Sequence, residues 1–323
     1  MSDAVRIGIG LAAVGRPAYI TAGRATDLGG HRAVPDLRRR AEQVLDAAYA
    51  AGFRYVDAAR SYGRAEEFLA GWLAAHPEAD DVVVGSKWGY RYIGDWRVDA
   101  PVHEVKDHSR AAFLEQLAQT RTWLGDRLAV YHIHSATLET GVLDDVPLHR
   151  ELARLRDGGV RVGVSTSGPA QAEVVRRAVE VVVAGEPLFT SVQATWNLLE
   201  PSAGPALAEA AGRGAWVIVK EAVANGLLAP GGQGGTAGPG RAAEVAAEVA
   251  AELGIGVDQL AIAAALAQPW AWRVLSGAVT AEQVASNAAA AAVEVPAAAV
   301  EEVLAHAGPP EAYWAARARR PWT

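Results

Sequence analysis

The chain of 323 residues has no cysteine, which removes disulfides, thiolate metal sites and a cysteine nucleophile from its chemistry. It also lacks an excess of positive charge: 30 lysines and arginines stand against 37 aspartates and glutamates, a formal net charge of −7. Such a surface repels a phosphate backbone, so nucleic acid is not an expected partner. Nor is there an unbroken run of about 18 apolar residues. The alanine- and valine-rich stretch from Val284 to Val300 is interrupted by Ser286, Asn287, Glu294 and Pro296, and no membrane span is expected. The first residues carry an early acid and no basic leader, the pattern expected of a cytoplasmic protein. What the chain does have is apolar material, 51% hydrophobic against 21% charged residues, ample for a large globular core.

Short β-branched runs alternate with helical patterns along the chain. The strand candidates are VRIGIG, FRYVDAA, DVVVGSK, LAVYHIH, VRVGVST, FTSVQ, AWVIVK and WRVLSG. Between them, helical periodicity runs near 36–51, 65–75, 109–124, 145–156, 170–183, 202–211, 241–253 and 258–267, with a last helical stretch from Thr280. The clearest unit is Asp145 to Val164: Asp145 caps a helix, Leu148, Leu152 and Leu155 share one face, and Gly158-Gly159 permits a left-handed stop before the strand VRVGV. Eight βα units with short apolar strands predict the α/β class, a (β/α)8 TIM barrel, as a single domain over 1–323. Two insertions interrupt it. One, 89–108, is aromatic; the other, 229–240, is glycine-rich and reads equally as a mobile flap or a surface linker.

A parallel barrel builds its site at the C-terminal ends of its strands. There the sequence offers Asp57 with Tyr62 just beyond it, then Lys87, then His134, from the second, third and fourth strands. Each alone has a bland explanation: a cap, a loop aromatic, a solvated lysine, a core histidine. Together they form a proton-transfer site. A buried ammonium beside a phenol lowers the tyrosine pKa toward working pH, Asp57 holds Lys87 charged, and His134 orients a carbonyl oxygen while Tyr62 moves the proton.

The segments YVDAARSYG, VVVGSKWG and VYHIH resemble those of the aldo-keto reductase superfamily that carry its Asp, Tyr, Lys and His tetrad. That resemblance implies a soluble oxidoreductase passing a hydride between NADP(H) or NAD(H) and a small carbonyl or alcohol, with Asp57, Tyr62, Lys87 and His134 as the catalytic set. GVSTSG resembles the segment that binds the nicotinamide amide, and SVQATWNLL the one supplying a glutamine and a stacking ring, which implicates Ser165, Thr166, Gln193 and Trp196. KEAVANGLL resembles the loop along the pyrophosphate, implicating Ala224, Asn225, Gly226 and Leu227. SGAVTAEQVASN resembles the adenosine-phosphate segment, implicating Gly277, Ala278, Thr280, Gln283 and Asn287. Gln283 stands where an arginine often grips a 2′-phosphate, so the resemblance leaves both dinucleotides open.

Three other readings compete. GIGLAA satisfies a dinucleotide fingerprint, but no helix pattern follows it, and its glycines read as room for close packing. His132 and His134 form an H-x-H on one strand, the arrangement of a metal-dependent barrel hydrolase, yet later strand ends offer Ser165, Gln193, Lys220 and Ser276 rather than further ligands; no metal is expected. A barrel that binds NAD(P) as a non-catalytic sensor is the third. For substrate contact the aromatic insertion offers Trp88 and Tyr90, nearest Lys87, and nothing in it demands an anion. A neutral carbonyl, including an aldose or its lactol, is expected. Trp72, Trp123, Trp216, Trp270 and Trp272 read as packing residues, and the tail with Trp314 and Trp322 reads equally as a pocket cover or a surface segment.

Overall fold

The computed structural model describes residues 3–232 and 240–323. Most of the glycine-rich stretch 229–240, read above as a flap or linker, therefore lies outside the described residues. Eight strands close a parallel barrel: β1 (Ile7–Gly10), β2 (Tyr55–Asp57), β3 (Val83–Trp88), β4 (Leu128–Ala136), β5 (Arg161–Thr166), β6 (Ser191–Thr195), β7 (Trp216–Lys220) and β8 (Arg273–Ser276). Each pairs with its neighbours in sequence, and β1 closes on β8. These eight are the runs named from the sequence.

Glycines on the inner wall set how the barrel fills. A Cβ on Gly8 would stand 2.9 Å from the Tyr55 ring, and one on Gly85 2.2 Å from the Tyr55 hydroxyl. The tyrosine thus occupies the axis only because its neighbours have no side chain. The fingerprint-like glycines of β1 serve this packing, and the chain after Gly10 enters turns rather than a helix. Below Tyr55 the barrel floor is a stack: the Trp216 and Trp272 rings lie 4.0 Å apart at 14°, with Arg161 over one ring at 3.9 Å and Arg273 over the other at 4.0 Å. Planar guanidinium and indole faces attract through charge and quadrupole.

Twelve α-helices are present among the described residues: α1 (Arg24–Leu28), α2 (Val34–Ala50), α3 (Ala65–Ala75), α4 (Arg110–Leu124), α5 (Val146–Asp157), α6 (Gln171–Val179), α7 (Gly204–Gly212), α8 (Gly240–Glu252), α9 (Val257–Leu266), α10 (Ala281–Ala289), α11 (Ala297–Leu304) and α12 (Pro310–Ala318). Asp145 caps α5, accepting from the Leu148 amide at 2.9 Å, and Gly159 takes φ +93°, as the sequence implies. The helix expected to reach Val183 stops at Val179. Ala184 and Gly185 have positive φ and turn the chain into a two-residue ribbon, Val182–Val183 with Glu186–Pro187. After Thr280 the helical stretch divides into three, because Pro296 and Pro309 each take an extended cap conformation before a new helix. No single helix among the described residues is long and apolar enough to cross a membrane. The bent pair α8 and α9 has the composition only when taken together, and its apolar faces are buried in the core.

The aromatic insertion is not irregular. Tyr90–Tyr92 pairs antiparallel with Glu104–Lys106, a hairpin standing beside the mouth that the strand ends of β2, β3 and β4 form.

Candidate active site

Asp57 ends β2, and Lys87 lies near the end of β3, both on the inner wall. The Lys87 ammonium reaches Asp57 Oδ2 at 2.5 Å and the Ala58 carbonyl at 2.8 Å, with side chains 1% and 4% exposed. The other Asp57 oxygen accepts from Gln193 Nε2 at 2.9 Å. A buried ion pair of this kind is held only when its remaining protons and lone pairs are met by hydrogen bonds; the Ala58 carbonyl accepts from the ammonium and Gln193 donates to the carboxylate. Tyr62, on the turn after β2, lays its ring 4.7 Å beneath the Lys87 ammonium and edge-on to His134, centroids 5.4 Å apart.

The expected tyrosine shift is reversed here. Burial holds the Tyr62 hydroxyl well above the usual phenol range, the Asp57 carboxylate pushes the same way, and Arg16 opposes both. Burial is the main reason, and Asp57, paired with Lys87 at 2.5 Å, adds to it rather than favouring phenolate. Tyr62 is therefore a phenol, a proton donor.

His134 is aimed by a bulge. The β4–β5 register shifts between Ile133 and Ala136, and Ser135 takes φ +52°, a conformation an L-residue keeps only under outside restraint. The restraints are the Ser165 hydroxyl, which accepts from the Ser135 amide at 2.9 Å, and Lys106 Nζ, which donates to the Ser135 carbonyl at 2.8 Å. His108 Nε2 donates to the His134 carbonyl at 2.8 Å. Burial first, and Lys87 next, hold the His134 imidazole well below its usual range, so the ring is neutral. Its Nδ1 faces the Ser61 hydroxyl at 3.4 Å. With that nitrogen accepting, Nε2 carries the hydrogen and donates outward.

A second cluster lies across the mouth. Lys220, at the end of β7, donates to Thr195 Oγ1 at 2.7 Å; burial lowers it to about 8. Arg317 of α12 pairs with Glu221, Nε to Oε2 at 3.0 Å, and Tyr313 accepts from Asn197 at 3.2 Å. The tail is also engaged. Tyr19 and Thr323 exchange two backbone hydrogen bonds, 3.1 and 3.0 Å, and the Trp322 ring stacks on His103 at 4.4 Å and 11°. The tail thus packs on the chain after β1 and on the hairpin. Arg16, Tyr19, Lys106 and Arg317 escaped the sequence reading, and Lys220 was placed at a strand end without a role. The available signal was a charged or aromatic residue near a strand end or insertion, too common to single any of them out.

The expected cofactor residues divide. Ser165 and Gln193 stand side by side in register on the inner wall. Buried Thr166 Oγ1 and Asn225 Oδ1 have no hydrogen-bond partner among the described residues. Ala224, Asn225 and Gly226 form a tight turn after β7, followed by Leu227, with Asn225 at φ +52°, and its carbonyl accepts from the Ala22 amide at 2.9 Å. Gly277 is exposed, and the Ala278 amide is bonded to the Ser276 hydroxyl at 3.2 Å. Thr280 caps α10 by accepting from the Gln283 amide at 3.2 Å, while Gln283 reaches Asp27 at 2.8 Å.

Three of the expected residues pack elsewhere in this structure. Trp196 does not face the mouth: it is 3% exposed, packed edge-on to Trp270 and against Gly204 of α7. Gln193 and Thr195 take the inner side of β6, and strand alternation sends the next residue outward. Trp88 is fully buried against Phe113 of α4, centroids 5.1 Å apart, so only Tyr90 reaches the site, 5.0 Å from the His134 ring. Asn287 is turned inward, accepting from Ser276 and donating to Asp258. The metal reading finds no support either. His132 points into the barrel and meets Ser191 at 2.9 Å, and no group of three or more potential ligands exists among the described residues.

The model of the aldo/keto reductase family matches residues 22–307. The chain belongs to that family. It is an oxidoreductase with the family's eight-stranded barrel. Among solved structures, the aldo-keto reductase from Bacillus halodurans in its holo form is 20% identical over 94% of this chain and 92% of that one, with a TM-score of 0.67. The glycerol dehydrogenase from Gluconobacter oxydans is 23% identical over 94% and 92%, with a TM-score of 0.68. At these identities the likeness is one of fold. No curated protein matches the chain.

Proposed function

We propose that this aldo/keto reductase transfers hydride between NAD(H) or NADP(H) and a small neutral aldehyde, ketone or sugar, and that residues 1–323 work as one barrel domain. One observation carries the reading: Asp57, Lys87, Tyr62 and His134 converge on one mouth with a neutral imidazole and a protonated phenol. His134 Nε2–H donates to the carbonyl oxygen and fixes its direction. Tyr62 donates the proton that turns that oxygen into a hydroxyl, and in the reverse direction removes it. The Asp57–Lys87 pair keeps the phenol seated. The nicotinamide, when bound, supplies or accepts the hydride.

The donor set fits such a cofactor. Ser165, Gln193 and the unpartnered Thr166 hydroxyl offer hydrogen bonds to a carboxamide, and the turn at Ala224 to Leu227 together with Gly277, Ala278 and Thr280 offers backbone and hydroxyl groups to phosphates. Asp27, bonded to Gln283, sets a carboxylate where a 2′-phosphate would meet repulsion, which favours NAD(H). Tyr90 walls the substrate side.

The test is Tyr62→Phe. Turnover across a carbonyl and alcohol panel is expected to fall roughly a hundredfold or more, with NADH still binding, and more tightly than NADPH, by fluorescence titration. Undiminished turnover in Tyr62→Phe would remove the assignment, and dinucleotide binding without turnover of any panel member would return the sensor.

A further inference from the structure

Arg16 follows β1 and is 2% exposed. One of its nitrogens makes both of its hydrogen bonds, to the Ser61 carbonyl at 2.9 Å and to Glu104 Oε2 at 2.7 Å. Its buried Nε has no partner among the described residues. The rest of the guanidinium lies among rings: Trp322 at 4.6 Å, Tyr19 at 5.0 Å and Tyr62 at 5.2 Å from their centroids. A buried charge with an unmet donor is costly and calls for a reason.

We propose that Arg16 is a positioning residue for Tyr62: a cation clamped by Ser61 and Glu104 against the tyrosine ring, whose field favours the phenolate that alcohol oxidation requires. The groups around Tyr62 come from each neighbouring element: Tyr19 after β1 and Tyr55 of β2 are buried phenols whose pKa is raised, and Asp57 of β2, although paired with Lys87 of β3, raises Tyr62. His134 of β4 is neutral. Glu104 on the hairpin and Glu221 after β7 oppose ionisation, and Arg16 favours it. Lys87 is committed to Asp57, so Arg16, 5.2 Å from the Tyr62 ring centroid, is the cation left to act on the phenol. Trp322 covers the guanidinium from outside, which keeps water from screening it.

The proposal rests on the oxidoreductase reading, and the test separates the two. Alcohol oxidation by the full chain is followed as kcat/KM against pH in wild type, Arg16→Met, Arg16→Lys, Glu104→Gln and the double variant Arg16→Met with Glu104→Gln. Arg16→Met is expected to lose about tenfold at each pH, equivalent to about one pH unit along the rising limb, with NADH affinity unchanged. Arg16→Lys recovers most of that loss. Glu104→Gln gains rate at fixed pH and levels off at lower pH than wild type, and adding Arg16→Met to it restores the slower profile. A purely structural arginine would lower activity or stability in Arg16→Met without shifting the rising limb, whereas the Glu104→Gln gain reports the field of Glu104 itself. Should Arg16→Met fail to fold, Arg16→Gln, which keeps a hydrogen-bond donor without the charge, reads the same shift. A profile of Arg16→Met, or of Arg16→Gln in its place, that matches wild type, with Tyr62→Phe inactive, overturns the proposal and leaves the activity standing; an active Tyr62→Phe overturns both.

Discussion

Lys106 and Ser135 are 29 residues apart, yet one hydrogen bond between them maintains the backbone that points His134 at the mouth. Replacing Lys106 with Met frees a strained carbonyl at a φ of +52° without opening the core. The expected result is a fall in kcat of roughly tenfold from a misplaced donor, with thermal stability nearly unchanged; equal losses in both would assign Lys106 to folding instead. A second residue-scale consequence concerns acid. Burial depresses His132 to about 3 and His108 to about 4, below the value of about 6.5 in an unfolded chain. The unfolded state therefore takes up protons first, so stability is complete above that value and declines as pH falls toward the folded ones. His132 alone costs about 2 kcal/mol at pH 5. Denaturant midpoints measured from pH 7 to 4.5 should drop, less steeply in His132→Asn. At this scale the tetrad was legible because each member stands at or just past a strand end. Trp88 and Trp196 pack away from the mouth in this structure, because which face a ring takes depends on the strand's last paired residue, which sequence places only to within a residue or two.

Individual elements were largely legible where periodicity and caps agreed. Asp145, Leu148, Leu152 and Gly159 each do in α5 what their types imply. Elements governed by contact rather than pattern were not. The hairpin of 89–108 looked like an aromatic loop because its strands are three residues each, too short for alternation to register. Helix α12 was lost in an arginine-rich ending, although Arg317 is there to meet Glu221, 96 residues away. The barrel floor is the element with the most at stake for stability. Trp272→Ala removes a ring stacked on Trp216 and roofed by Arg273, and should cost about 3–5 kcal/mol. Because the floor lies at the opposite end from the mouth, the remaining folded protein should keep its KM; a raised KM would mean that the floor communicates with the site.

At the scale of the whole molecule, eight βα units in order were enough to imply the closed barrel, while the long-range contacts of the tail and hairpin were not readable. Arg16 with Glu104 and Tyr19 with Thr323 join positions whose separation no local pattern records. A closed barrel also hides every strand edge it contains. The hairpin beside the mouth is different: it is a ribbon of two strands, and Ile93, Val102 and Val105 around it are 50%, 49% and 47% exposed. In a concentrated stock this ribbon is where one molecule can extend its ladder onto the next. Turbidity on storage or mild heating should then begin with folded, active protein, and Val105→Lys should delay it without moving the unfolding temperature. If clouding instead tracks unfolding in both proteins, the ribbon is colloidally silent.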